Sequence, residues 1–75
     1  MRKYTIILEP DEEEGGYAVT VPALQGCVTQ GETVTQCVER AQEAIIGHIK
    51  SLQAAGEPVP EETARPQAIT IDVAA

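Results

Sequence analysis

"VPALQGCVTQGETVTQCVERAQEAI", Val21 to Ile45, decides the fold of this chain. It leaves a strand at Pro22, turns through Gly26, runs extended from Cys27 to Gln30, breaks at Gly31 and then takes helical spacing. Thr33 stands where a helix needs a cap, and Gln36 follows three residues on. That is capping-box spacing: the threonine hydroxyl takes the amide of the third helical residue, and the glutamine side chain returns to the cap amide. Val34, Val38, Ala41, Ile45, Ile49 and Leu52 recur at intervals of three and four, which predicts one apolar stripe along the helix. Gly56 suits a left-handed terminating residue and Pro58 forbids continuation, so the helix is predicted over Val34 to Ala55.

On the amino side, "KYTIILE" (Lys3 to Glu9) and "YAVTV" (Tyr17 to Val21) alternate as half-buried strands do. Between them "PDEEEGG" (Pro10 to Gly16) supplies a breaker, four acids and two glycines, so the pair reads as an antiparallel hairpin. On the carboxyl side, "GEPVPEETARPQ" (Gly56 to Gln67) is a polar, proline-rich connection, and "AITIDV" (Ala68 to Val73) alternates again. The expected order is βββαβ. This is an α+β fold, a mixed four-stranded sheet with one long helix packed on one face. A right-handed crossover would lay the last strand beside the first. The other sheet face, with Thr5, Ile7, Ala18, Thr20 and Thr70, is expected to lie open, and that face or the sheet edge could take a partner by strand addition.

The totals narrow the function. Seventy-five residues make one domain, with no Phe, no Trp and only Tyr4 and Tyr17 as large aromatics. A core this poor predicts self-association into a homo-oligomer, dimer or tetramer. A net charge of −7 argues against direct nucleic-acid binding. It suits a basic protein partner, or simply solubility. No apolar run reaches the ~20 residues of a membrane span, and "MRKYTIILEP" lacks the pattern of a signal peptide. The expected compartment is the cytoplasm, with both cysteines reduced.

Two cysteines near glycines raise the question of thiol or metal chemistry. Cys27 and Cys37 stand ten apart in the sequence, without the close pairing of zinc or redox sites, and the chain has one histidine. Both are read as small buried hydrophobes. His48, near the border of the stripe, has no nucleophile partner in the sequence and is read as a hydrogen-bonded border residue rather than a general base. No metal and no cofactor are expected.

"GGYAVTVPALQGCVTQGETVTQCVERAQEAI" resembles the HicB-like antitoxin family. Gly16, Tyr17, Val19, Pro22, Gly26, Cys27, Thr29, Gly31 and Thr33 carry the likeness, with Glu32 where the family usually has aspartate. The resemblance implies a partial, degraded ribonuclease H-like fold. It also implies a role: to bind HicA toxins, small basic ribonucleases that cleave mRNA, and to cover their active site. Many members carry a further DNA-binding segment. Here a single HicB-like domain over residues 1–75 is expected, without that segment. An active ribonuclease H would hold two Mg²⁺ ions with carboxylates on its strands and helix. Glu9, Asp11, Glu43 and Asp72 are the available acids, but the interior of the first strand has none, so the chain is expected to be no enzyme. Asp11, Glu12, Glu13 and Glu14 form either a solvated hairpin tip or a docking patch for a basic partner. Tyr17 is either core or an interface anchor. The remaining motif residues, Gly16, Pro22, Gly26, Cys27, Thr29, Gly31 and Thr33, are read as structural. The alternative role is an oligomeric module of this family without a toxin partner.

Overall fold

The computed structural model describes residues 1–75 and places β1 at Ile7–Pro10, β2 at Tyr17–Thr20, β3 at Val28–Gly31 and α1 at Val34–Ala54. The sheet is three-stranded and antiparallel, in the order β1-β2-β3. Its rows are Leu8, Val19 and Thr29 on the helix side, and Ile7, Thr20 and Val28 on the open side. The helix packs over β3 and β2 and leaves the outer side of β1 uncovered.

The buried residues fall into two small groups. Val19, Cys37 and Ala41 form one under the first half of the helix, and Ile6, Leu8 and Tyr17 pack against it. Val21, Leu24 and Cys27 form the second at the β2–β3 turn, and Tyr4, Ile6, Ala44 and Ile45 close over it. The turn is built to deliver Leu24 inward: Leu24 N–H donates to Val21 O and Cys27 N–H to Leu24 O.

Glycines set the approach of helix to sheet. A Cβ on Gly31 would stand 2.8 Å from Cys37 Sγ and 2.9 Å from the Cys37 amide nitrogen. Gly16 has φ +73°, and a Cβ there would stand 2.6 Å from the Gly31 carbonyl oxygen. The first helical turn can therefore seat directly on the end of β3.

Both helix ends use local chemistry. Gln36 N–H donates to Thr33 Oγ1 at 3.1 Å, as the capping spacing predicts. The returning bond differs: Gln36 Oε1 accepts from the Glu32 amide at 2.7 Å, one residue earlier than the cap. At the other end Gly56, with φ +70°, donates to Gln53 O, and Glu57 N–H donates to Leu52 O. That is a Schellman motif, in which two late carbonyls are satisfied by the residues past the helix.

Several expectations are corrected. Val34 and Val38 are exposed, and the buried helix face is Cys37 and Ala41, flanked by Ala44 and Ile45. The small residues face the sheet because Gly31 leaves no gap for a valine there. The first strand is shorter than Lys3 to Glu9. Continuing its register from Ile7↔Thr20 brings Thr5 opposite Pro22, which has no N–H to share. The Thr5 amide instead donates to Glu62 Oε1 at 2.6 Å, and the Thr5 hydroxyl to Glu62 Oε2 at 2.7 Å. The third strand begins at Val28, because Cys27 is held in the turn.

The largest difference is the last strand. Residues 68–73 pair with nothing, so the sheet of a single chain has three strands and not four, and Thr70 lies off its open face. The connection after the helix is held at two points: Tyr4 Oη donates to Pro60 O at 2.6 Å, and Glu62 takes both donors of Thr5. It then passes Pro22 and Ala23, and everything from Thr63 onward is exposed. Alternation in a sequence reports that one face of a segment suits burial; it does not report which surface supplies the cover.

Candidate partner-binding surface

The hairpin tip is organised by one of its own acids. Asp11 Oδ1 accepts from the amides of Glu13 at 3.1 Å and Glu14 at 3.2 Å. Asp11 O accepts from Gly15 N–H, and Asp11 N–H donates to Gly16 O. Gly15 and Gly16 carry positive φ angles of 80° and 73°, which close the turn. The carboxylate of Asp11 is thus spent on shape. Glu12, Glu13 and Glu14 are left exposed on a fixed loop, three negative charges on a short arc.

Below the tip lies a polar cleft lined by Glu14, Tyr17, Gln30, Glu32, Gln36 and Arg40. Tyr17 is half-buried and packs on the core group of Val19, Cys37 and Ala41 while also lining this cleft. Tyr17 therefore packs as the core reading expects and also borders the cleft. Arg40 Nη1 donates to Gln30 O at 3.1 Å, so the outer edge of β3 has one carbonyl already occupied by a guanidinium. Of the cleft residues, Gln30 and Arg40 were not singled out from the sequence; Gln36 was read there only as a capping partner and Glu32 only as the residue in place of the family's aspartate.

The remaining motif residues are distributed as follows. Pro22 is exposed at the end of β2, and Gly26 turns with φ +83°. Thr29 faces the helix side opposite Val19, Gly31 is buried against Cys37, and Thr33 caps α1. Cys27 is 4% exposed and Cys37 fully buried, both as free thiols. Burial pushes the Cys27 thiol above its ordinary pKa, which keeps it protonated at neutral pH. His48 is half-buried. No three His, Cys, Asp or Glu side chains stand together as a set of metal donors, and Glu9, Asp11, Glu43 and Asp72 are not brought together. Glu62 is a titratable residue that sequence reasoning missed. The two hydrogen bonds from Thr5, with help from Arg65, hold its carboxyl below the usual carboxylate range.

The fold and surface define a class: a small α+β module with a cluster of acids on a hydrogen-bonded hairpin tip above a polar cleft. The chain belongs to the HicB-like antitoxin family of bacterial toxin–antitoxin systems, whose family model matches residues 4–71. It is 45% identical over 62 residues to a UPF0150 protein of Thermoplasma acidophilum, covering 83% of this chain and 88% of that one. A UPF0150 protein of Synechocystis is 44% identical over 59 residues, 79% of this chain and 73% of its own. Antitoxin HicB 1 of Photorhabdus laumondii is 43% identical over 44 residues, 59% of this chain but 28% of that longer protein. No helix is long and apolar enough to cross a membrane.

Proposed function

We propose that this protein is an antitoxin that binds a small, basic HicA-type ribonuclease and blocks its mRNA-cleaving site by occupying it. Membership of the HicB-like family supports an antitoxin role. The observation that carries the mechanism is the tip: Glu12, Glu13 and Glu14 are exposed on a loop that Asp11 and two glycines hold in one shape. A rigid acidic projection loses little freedom on binding and attracts a basic partner from a distance. Tyr17, anchored in the core with one side toward the cleft, is the aromatic contact beside it. In this reading the chain performs no catalysis, uses no metal or cofactor, touches no nucleic acid directly and works in the cytoplasm. Its architecture is the partial ribonuclease H-like one, and it acts as a homo-oligomer.

The test is affinity capture from native lysate at low and high salt. Captured proteins are identified by mass and assayed for RNA cleavage. The proposal expects a small basic ribonuclease that leaves as salt rises and is silenced when the chain is added back. Charge reversal of Glu12, Glu13 and Glu14 to lysine should slow association, most at low salt. Recovery of the bait alone overturns the antitoxin reading. It would favour the second reading, an oligomeric module without a toxin, for which the exposed apolar Ile69, Ile71 and Val73 also speak.

A further inference from the structure

Residues 68–73 are the least accounted-for part of the molecule. Ile69, Ile71 and Val73 are 74%, 72% and 72% exposed, and they alternate in the sequence as the residues on one face of a strand do. The radius of gyration is 14.3 Å, against roughly 11 Å for a compact domain of this length. The segment therefore stands off the body.

The body in turn has an unfilled place for a strand. Asp11 N–H donates to Gly16 O. In an antiparallel ladder that turns the odd-numbered residues of β1 toward β2 and leaves Leu8 with its backbone groups facing outward; Tyr4 and Ile6 lie in the unpaired residues leading into β1, on the line that an added strand would extend. Pro10, with no N–H, closes that edge at its far end. At ~3.3 Å per residue, six residues span roughly 20 Å, which matches Lys3 to Leu8 as it matches residues 68–73. The β3 edge is the poorer host, since Arg40 already holds the Gln30 carbonyl.

The helix supplies the wall. Arg40 marks its β3 side. At ~100° per residue the sheet-facing Cys37 and Ala41 lie about 80° round the axis from Arg40; Val38, Ile49 and Gln42 follow at about 160–200° in the same sense and face the β1 side, while Ile46, at about 240°, lies on the outer face of the helix and also lines the groove. Val38 and Ile46 are exposed at 41% and 54%. A groove of about 690 Å³ opens at this place, with Met1, Tyr4, Ile45 and Ile46 as apolar lining and Arg2, Lys3 and Arg65 against the single acid Glu62, whose carboxylate Thr5 already holds. Those three cations are the majority of the five bases in a chain of net charge −7. A segment whose one charged side chain is Asp72 meets complementary charge here, where the rest of the surface would repel a second copy.

We propose that the groove is filled by residues 68–73 of a second copy of this chain, in a reciprocal, two-fold strand exchange. The incoming segment hydrogen-bonds the outer edge of Tyr4, Ile6 and Leu8 and becomes the fourth strand of the partner's sheet. Ile69, Ile71 and Val73 turn toward Ile45, Ile46 and Ile49. The inference concerns self-assembly and does not rest on the antitoxin reading.

The test is the solution mass of the full chain and of two variants by size exclusion with light scattering, with far-UV circular dichroism to show that each keeps its fold. The 8.0 kDa chain should run as a dimer of twice that mass, 16.0 kDa. Ile71→Asp, which spoils the strand, and Ile46→Asp, which spoils the groove, should each run as a folded monomer. Mixing the two should restore a dimer, because the intact strand of Ile46→Asp can enter the intact groove of Ile71→Asp. A monomeric full chain, as when each segment closes over its own groove, overturns the proposal. So does an Ile71→Asp dimer, or a mixture that stays monomeric. Ribonuclease capture tests the antitoxin reading separately; a monomeric full chain would remove only the homo-oligomer from that reading.

Discussion

Gly31→Ala tests the account of how helix meets sheet. Gly31 is in ordinary strand conformation, so the backbone itself accepts alanine. The obstacle is space: the new methyl would lie 2.8 Å from Cys37 Sγ, 2.9 Å from the Cys37 nitrogen and 3.1 Å from its Cα. The sulfur could shift, but the nitrogen and Cα belong to the first turn of α1, which Thr33 and Gln36 hold in place. Seating the methyl therefore lifts the helix from β3, at the ~1–3 kcal/mol typical of overpacking. A chain of this length has roughly 4–11 kcal/mol to lose. A loss of 2 kcal/mol would lower the melting temperature by roughly 8–16 °C. Urea unfolding followed by far-UV circular dichroism gives the number directly, with an unchanged m-value showing that only stability moved. Adding Cys37→Ala should restore little, since the backbone contacts remain. Gly31→Ala within about 0.5 kcal/mol of the parent would refute the packing argument, because that is the range of substitutions that disturb nothing.

Gly47→Ala should do the opposite. It lies within α1 with nothing within 4 Å of the new methyl, so unfolding should cost about 0.5–1 kcal/mol more; a loss of stability in the same urea assay would contradict this. Thr33→Ala should cost ~1 kcal/mol by removing the acceptor for Gln36 N–H, while Thr33→Asp keeps most of it; equal losses for both would show that the cap contributes nothing. The Glu62 carboxyl lies below its ordinary range of ~4.3, so its hold on Thr5 is complete above that pH and is lost as pH falls through the lower folded value. The Thr5 amide resonance should follow that depressed titration, and Glu62→Gln should speed Thr5 amide exchange at neutral pH; a Thr5 midpoint at the ordinary carboxylate value would rule the pairing out.

What could be read from the sequence was what local chemistry decides. Thr33 and Gln36 announced the start of the helix, and Gly56 with Pro58 announced its end, because caps are built from neighbours in the chain. The hairpin was legible in Gly15 and Gly16, whose positive φ angles the turn requires. The family likeness was carried by the same short-range signals, and the match over residues 4–71 bears it out. What could not be read depends on contacts between distant residues. Spacings of three and four allow a stripe through Val34 and Val38 or one through Cys37 and Ala41. The choice falls to the second because Gly31 comes close, a fact of tertiary packing. The first strand is cut short by Pro22 across the sheet, and the Thr5 amide is satisfied by an acid far along the chain. The cleft was invisible for the same reason: Arg40 and Gln30 meet only once the helix lies on β3. Residues 68–73 had the right alternation and no host within the chain.

The central claim is that the acidic tip delivers this chain onto a basic ribonuclease and stops it from cutting. The direct measurement is RNA cleavage by the captured ribonuclease, titrated with the purified chain and with its Glu12, Glu13 and Glu14 charge-reversed form at low salt. The account predicts that cleavage falls to nothing at a fixed stoichiometric ratio with the parent chain, and that the variant inhibits more slowly and needs a higher concentration. Cleavage that continues in excess of the parent chain, or equal inhibition by the variant, would contradict it.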